Sequence, residues 1–227
     1  MRTEKSPPPL RALQAHNPVG LDRGMEPRWH AAVAILATAL IYFALPSTIA
    51  LGPKWLPFAL TVPLEAVTML ARKVGRHTVN RVMGYLVSGI LTAFVMASVC
   101  LLIMGIVNHS EESGPLLKSA LMLWVSNILI FAIWYWRLDA GGPNARDKNA
   151  CHTDGAFLFP QMQYQIAGTA WSPQFIDYLF IAFNTATAFS PTDVPILSRW
   201  AKILVMLQSI ISLSIVLLLA GRAVNIM

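Results

Sequence analysis

Six polar residues near the C-terminus have the side chains best suited to chemistry: Asn184, Thr185, Thr187, Ser190, Thr192 and Asp193. They follow the apolar run Phe175 to Phe183 and precede a long hydrophobic stretch from Ile203 to Gly221. Hydroxyls, carbonyls and a carboxylate gathered near one depth suit the path of a dehydrating cation or of water. A short helix that breaks into a Thr/Ser/Asp loop before a full span is the pattern of a pore module. Non-helical backbone at membrane depth is tolerated only where protein buries it or water reaches it. The same residues also suit an ordinary short span, with Asn184 and the threonines bonding neighbouring helices and Ser190-Pro191-Thr192-Asp193 as the exit turn.

Glu65 is the second candidate. It lies well inside an apolar stretch, and an intramembrane carboxylate is costly enough to suggest proton or cation handling, with Arg222 or a Ser/Thr cluster as its partner. The alternative is that Pro63 loosens the helix and Glu65 pairs at the interface with a nearby cation such as Arg72 or Arg76. Cys151-His152-Thr153-Asp154 offers metal-ligand types, but no second ligand pair accompanies it, so no metal or other cofactor is assigned. Gly141-Gly142-Pro143 makes a turn and not a phosphate loop, since no Gly-Lys-Ser/Thr follows. Without a nucleophile-base pair the enzyme reading is the weakest, with intramembrane catalysis by Glu65 and Asp177 its one opening.

The elements that must position these groups follow from composition. The 227 residues are 56% hydrophobic and 12% charged, against about 25% charged in a soluble domain, and mean hydropathy is +0.56. These values predict a polytopic membrane protein. Stretches at roughly 30–50, 55–71, 83–107, 117–136 and 202–222 approach the ~20 apolar residues a span needs, and 174–190 is a sixth, ambiguous one. Trp134-Tyr135-Trp136-Arg137 reads as an aromatic exit through the headgroup layer. Asn127, Gln208, Ser209 and Ser212 read as helix-to-helix glue, and Gly84, Ser88 and Thr92 as a small-residue packing stripe. Phe157 to Met162 is apolar enough to lie on the membrane surface or pack beneath the bundle.

The net charge of +6 reflects topology, because Lys and Arg collect in cytoplasmic loops; it does not call for nucleic acid. Six spans with both termini inside put thirteen cations in the cytoplasm and four outside, whereas a 174–190 segment that dips in and returns makes the split fourteen to three. An orientation with the loop before 174–190 outside would leave only three of seventeen inside. The positive-inside rule weighs against it.

From Asp177 to Asn225 the chain resembles the end of a bacterial family of uncharacterised integral membrane proteins, through Asp177-Tyr178-Leu179, Ser190-Pro191-Thr192-Asp193 and Ser198-Arg199. The likeness continues upstream through Trp134 to Pro143 and Phe157 to Met162, and more loosely to Pro63-Leu64-Glu65-Ala66. It implies a polytopic membrane architecture and no established activity. More distantly, 175–199 is similar to two-helix potassium-channel pore modules, with Phe175 to Phe183 as the pore helix, Thr187 to Asp193 as the filter region and Arg199 opening the inner helix. Neither filter glycine is present and Pro191 restricts the backbone, so potassium selectivity is not implied.

The sequence thus predicts an all-α transmembrane bundle of five or six spans with a short helix, spanning or re-entrant, before the last. It divides into a basic cytoplasmic tail (1–29), a four-helix region (30–136), a long loop (137–173) and a pore-like module (174–227). The expected function is a channel- or transporter-like protein of the bacterial inner membrane that passes a small cation or proton, alone or as a homo-oligomer in the lipid bilayer. The path would run by Asn184, Thr185, Thr187, Ser190, Thr192 and Asp193, with Glu65 as titratable partner. The rival is a non-transporting scaffold or sensor subunit that binds a partner through 137–173.

Overall fold

A computed structural model describes residues 26–107, 113–148, 155–163, 171–187 and 194–226. Among these residues the chain is helical, with one isolated bridge between Phe157 and Ile196. The helices are α1 (Trp29–Phe43), α2 (Leu56–Lys73), α3 (His77–Val107), α4 (Ser113–Leu138), α5 (Pro143–Arg146), α6 (Pro160–Gln163), α7 (Phe175–Thr187) and α8 (Arg199–Ile226).

Among the described residues three helices are long and apolar enough to cross a membrane: α3, α4 and α8. The expected five or six crossings are therefore met by length and composition at three places. The apolar stretch 30–50 divides, because α1 ends after 15 residues just short of Pro46. Its Tyr42 hydroxyl then ties down the following turn, donating to the Leu51 carbonyl and accepting from the Leu51 N–H. Helix α2 has 18 residues but carries Pro63 and Glu65 in its body and Arg72 and Lys73 in its last turn. Thr61 and Thr68 turn their hydroxyls onto the Pro57 and Leu64 carbonyls of the same helix, which hides their polarity from an apolar surround.

Helix α4 is the hub. It packs against α1, α3, α7 and α8, while α2 lies outside on α3 and α1. The Gly84/Ser88/Thr92 stripe does face α4. Ser88 and Thr92 bond back along α3, and the Trp134 indole donates to the Thr92 hydroxyl at 2.9 Å. Outward-facing Ile203, Met206, Ile210, Leu213 and Leu217 of α8 are all more than half exposed, an apolar belt that water would not support over such an area.

The direction of α7 decides its role. Ala182 of α7 lies beside Gln208 of α8, and Ala186 beside Ser212, so the two helices run parallel from the same end. Pro195 and Leu197 are back at that end, where Leu158 N–H donates to the Pro195 carbonyl and Leu197 N–H to the Ala156 carbonyl. The alternative in which 174–190 is a span running opposite to α8 is thereby corrected. Thirteen residues reach only about 20 Å, and the chain is back at its starting level before α8 begins. Ser198 caps α8, its hydroxyl accepting from Ala201 N–H.

Candidate functional site

Two polar assemblies hold α7, one along its length and one at its start. Along its length, Gln208 donates to the Ala182 carbonyl at 2.7 Å and accepts the Tyr135 hydroxyl at 2.6 Å. Ser212 donates to the Ala186 carbonyl at 2.5 Å and accepts the Trp124 indole N–H at 2.9 Å. Ala186 falls in the last turn, where helix carbonyls lack intrahelical partners. Ser212 thus does what water does at an ordinary helix end. Asn127 approaches the Gln208 carbonyl at 3.5 Å. Of the glue residues expected from sequence, Gln208 and Ser212 seat the short helix and Asn127 joins α4 to α8.

At the start of α7, Asp139 is fully buried. It accepts from Ala156 N–H at 2.5 Å and from the Tyr178 hydroxyl at 2.6 Å. The chain reaches this geometry through three consecutive positive-φ residues, Ala140 (50°), Gly141 (77°) and Gly142 (88°). An alanine in the left-handed region costs roughly 1–2 kcal/mol, and a side chain at 142 would strike the Arg137 carbonyl, 2.7 Å from its Cβ position. Arg146, on α5, folds back beneath the end of α4, donating to the Trp136 and Asp139 carbonyls at 2.8 and 2.9 Å. A cation on orphan C-terminal carbonyls is favoured by the helix dipole. Its other nitrogen meets Glu26 at 3.0 Å, and the Trp136 indole also donates to Glu26. Burial pushes the Glu26 carboxyl above its ordinary value, with Asp147 adding to the rise and Arg146 and Trp136 opposing it. Phe157 fills the space among Tyr135, Tyr178 and Trp200, so 157–162 packs beneath the bundle.

Glu65 finds a different partner from those expected. Arg137 of α4 reaches it at 3.6 Å, in place of the expected Arg72 or Arg76, and the side chain of Arg222 lies outside the described residues. The reason lies in Gly84, where a Cβ would stand 1.8 Å from an Arg137 guanidinium nitrogen. The missing side chain opens the lane through which Arg137 passes α3 to α2. Trp136 and Arg137 are almost entirely buried, so the end of α4 points inward and is not a headgroup belt facing lipid.

Of the expected pore residues, Asn184, Thr185 and Thr187 sit half-exposed on the last turn of α7, with the Thr187 hydroxyl on the Phe183 and Asn184 carbonyls. Ser190, Thr192 and Asp193 lie outside the described residues, as does Cys151-His152-Thr153-Asp154. Glu65 belongs to the α2–α3–α4 side and is not brought to α7. Asp177 is accounted for as a cap, its carboxylate accepting from Gln174 N–H at 2.7 Å in the first turn of α7. Between α4 and α7 runs a groove of about 430 Å³ lined by Trp124, Val125, Ile128, Leu129, Ile176, Leu179, Phe180 and Phe183; its apolar walls offer an ion nothing.

Asp139, Arg146, Glu26 and Arg137 were not legible as a site. Each is an ordinary interface charge by position, and only the left-handed turn and the glycine lane bring them inside. The arrangement defines an all-helical protein with membrane-compatible helices and a short internal helix clasped at one end. No protein-family model matches the chain, and no curated protein or solved structure matches it.

Proposed function

We propose that this is an inner-membrane protein, related to the uncharacterised bacterial family it resembles, in which α7 re-enters from the cytoplasmic side and its C-terminal end binds or passes a small cation or proton. The observation that carries this reading is the parallel course of α7 and α8. A helix that enters and stops short brings the negative end of its dipole, with Asn184 and Thr185, to the interior of the bundle. Half-helix C-termini of this kind suit cations. In this arrangement α1, α2, α3, α4 and α8 make five crossings, helped for α1 and α2 by local thinning or flanking turns. Arg28, Arg72–Arg81, Arg137–Lys148, Arg199 and Lys202 then share the cytoplasmic end, and Lys54 and Lys118 the other.

The test has two parts. Single cysteines replacing Ser172 and Ser198 should both react with an impermeant maleimide from the cytoplasmic side only; reaction from opposite sides would sink the re-entrant topology. Purified protein in liposomes should carry a cation or proton flux that Asn184→Leu with Thr185→Val cuts at least tenfold. Absence of flux from wild type would refute the transport reading.

A second reading, the scaffold or sensor subunit, draws on the way residues 139–148 and 155–158 are held by Asp139, Arg146 and Phe157. A stoichiometric partner co-purifying with a flux-inactive wild type would favour it.

A further inference from the structure

The turn between α2 and α3 presents a compact cationic surface that neither the fold nor the α7 site uses. Gly75, at φ 75°, folds the chain back within a few residues, with Gly75 N–H on the Arg72 carbonyl and Arg76 N–H on the Ala71 carbonyl. Every residue from Lys73 to Val79 is exposed, as are Arg81 and Val82. The hairpin is held rigid from behind: buried Asn80 donates to the Thr68 carbonyl at 2.7 Å, and Asn144 donates to Asn80 at 2.8 Å.

Three features narrow the partner. First, no acidic residue occurs between Glu65 and Glu111, so Lys73, Arg76 and Arg81 have no carboxylate on their own hairpin. Second, among the described residues the acid nearby is engaged elsewhere, since Asp147 binds Arg28 at 2.8 Å and accepts from Glu26 N–H. Glu65 is turned to Arg137. Arg28 stands close to Arg72 and, mainly through burial and also through that like charge, is pushed below its ordinary value. Third, large apolar side chains share the surface: Leu70 and Val74 are 62% and 66% exposed, and Val82 is 45% exposed. A nucleic acid or soluble acidic protein would leave those side chains facing water, whereas the headgroup layer accepts cation and apolar group together.

We propose that the α2–α3 hairpin is a binding surface for anionic phospholipid, with Lys73, Arg76 and Arg81 on the headgroup phosphates and Leu70, Val74 and Val82 among the upper acyl carbons. It rests on the membrane character of the chain and not on transport by α7, so it stands or falls separately. Each cation near an anionic surface contributes about fivefold in affinity, and the effect fades when the Debye length shortens in high salt.

The experiment is native mass spectrometry of the purified full-length protein with added phosphatidylglycerol or phosphatidylcholine. Detergent makes the result independent of membrane orientation. Wild type should retain phosphatidylglycerol preferentially. Lys73→Gln with Arg76→Gln and Arg81→Gln should remove that preference, while Arg199→Gln with Lys202→Gln, at the same end on α8, should keep it. Equal retention of both lipids by wild type overturns the proposal, as does a preference that survives the triple substitution or disappears in the α8 variant. Displacement of the lipid by equimolar glycerol phosphate also overturns it, assigning the surface to a soluble phosphate. If the triple variant does not fold, Arg76→Gln alone decides, with about a fivefold weaker hold on phosphatidylglycerol expected and no change overturning the proposal.

Discussion

Replacing Asp139 by alanine should loosen the start of α7 more than any other single change in its surroundings. The carboxylate is fully buried and takes two short hydrogen bonds, from Ala156 N–H and the Tyr178 hydroxyl. Bonds to a charged group contribute about 1.5–3 kcal/mol each, so their joint loss is about 3–6 kcal/mol. Removing a buried charge returns part of its desolvation cost. The Arg146 side chain keeps Glu26 and two carbonyls in any case, so a net loss of roughly 2–4 kcal/mol remains. For a chain of this size that corresponds to about 5–15 °C in melting temperature. Tyr178→Phe removes one bond and should cost about half as much. In Asp139→Asn the amide keeps an acceptor for Ala156 and offers a donor to the Tyr178 oxygen, for a loss of about 1 kcal/mol. Thermal unfolding in lipid nanodiscs, followed by tryptophan fluorescence, measures all three. A melting temperature for Asp139→Ala within about 1 °C of wild type, or a Tyr178→Phe loss exceeding it, would refute the clasp, since both bonds converge on the one carboxylate.

Gln208→Leu should cost about 1–3 kcal/mol by stranding the Tyr135 hydroxyl and the extra bond to Ala182, and should lower any flux carried by α7. Equal stability and flux in the variant would remove Gln208 as the seat of that helix. Gly84→Ala should cost roughly 1–3 kcal/mol by driving the Arg137 guanidinium from its lane. Its effect should not add to that of Glu65→Gln, because both act through one ion pair; strict additivity would break the proposed link. Glu26 makes stability depend on pH. Its folded value lies above the ordinary 4.5, so the folded state holds the proton more tightly, and the stability this gives is complete below 4.5 and is lost as pH rises through the higher folded value. Melting temperature should therefore fall with rising pH across that window more steeply in wild type than in Glu26→Gln, and parallel curves would contradict it. Native Cys151 should react with an impermeant maleimide only in permeabilised cells; labelling from outside would invert the orientation.

What the sequence revealed and what it concealed divide along a physical line. Helix packing written in local spacing was legible. Gly84, Ser88 and Thr92 recur every four residues, and Gln208 and Ser212 likewise share one face of α8, so both stripes could be read before any partner was known. Chain direction was not legible, because a thirteen-residue apolar run is equally a short span or a re-entrant helix. The charge split of fourteen to three against thirteen to four barely separates the two. Only the register of Ala182 on Gln208 and Ala186 on Ser212 makes α7 parallel to α8. Partner choice was also hidden, since the mate of Glu65 depends on a side chain absent from α3. Deleting one Cβ at position 84 redirects a cation from the rim to the interior. The clasp shows the same logic in the backbone: Ala140, Gly141 and Gly142 turn left-handed, Asp139 is carried inward, and the segment after it is pinned against the helix it supports. The polar residues that appeared to line a path are thus one part of the arrangement. Asp139 and Arg146, which hold the start of α7, lie at its opposite end.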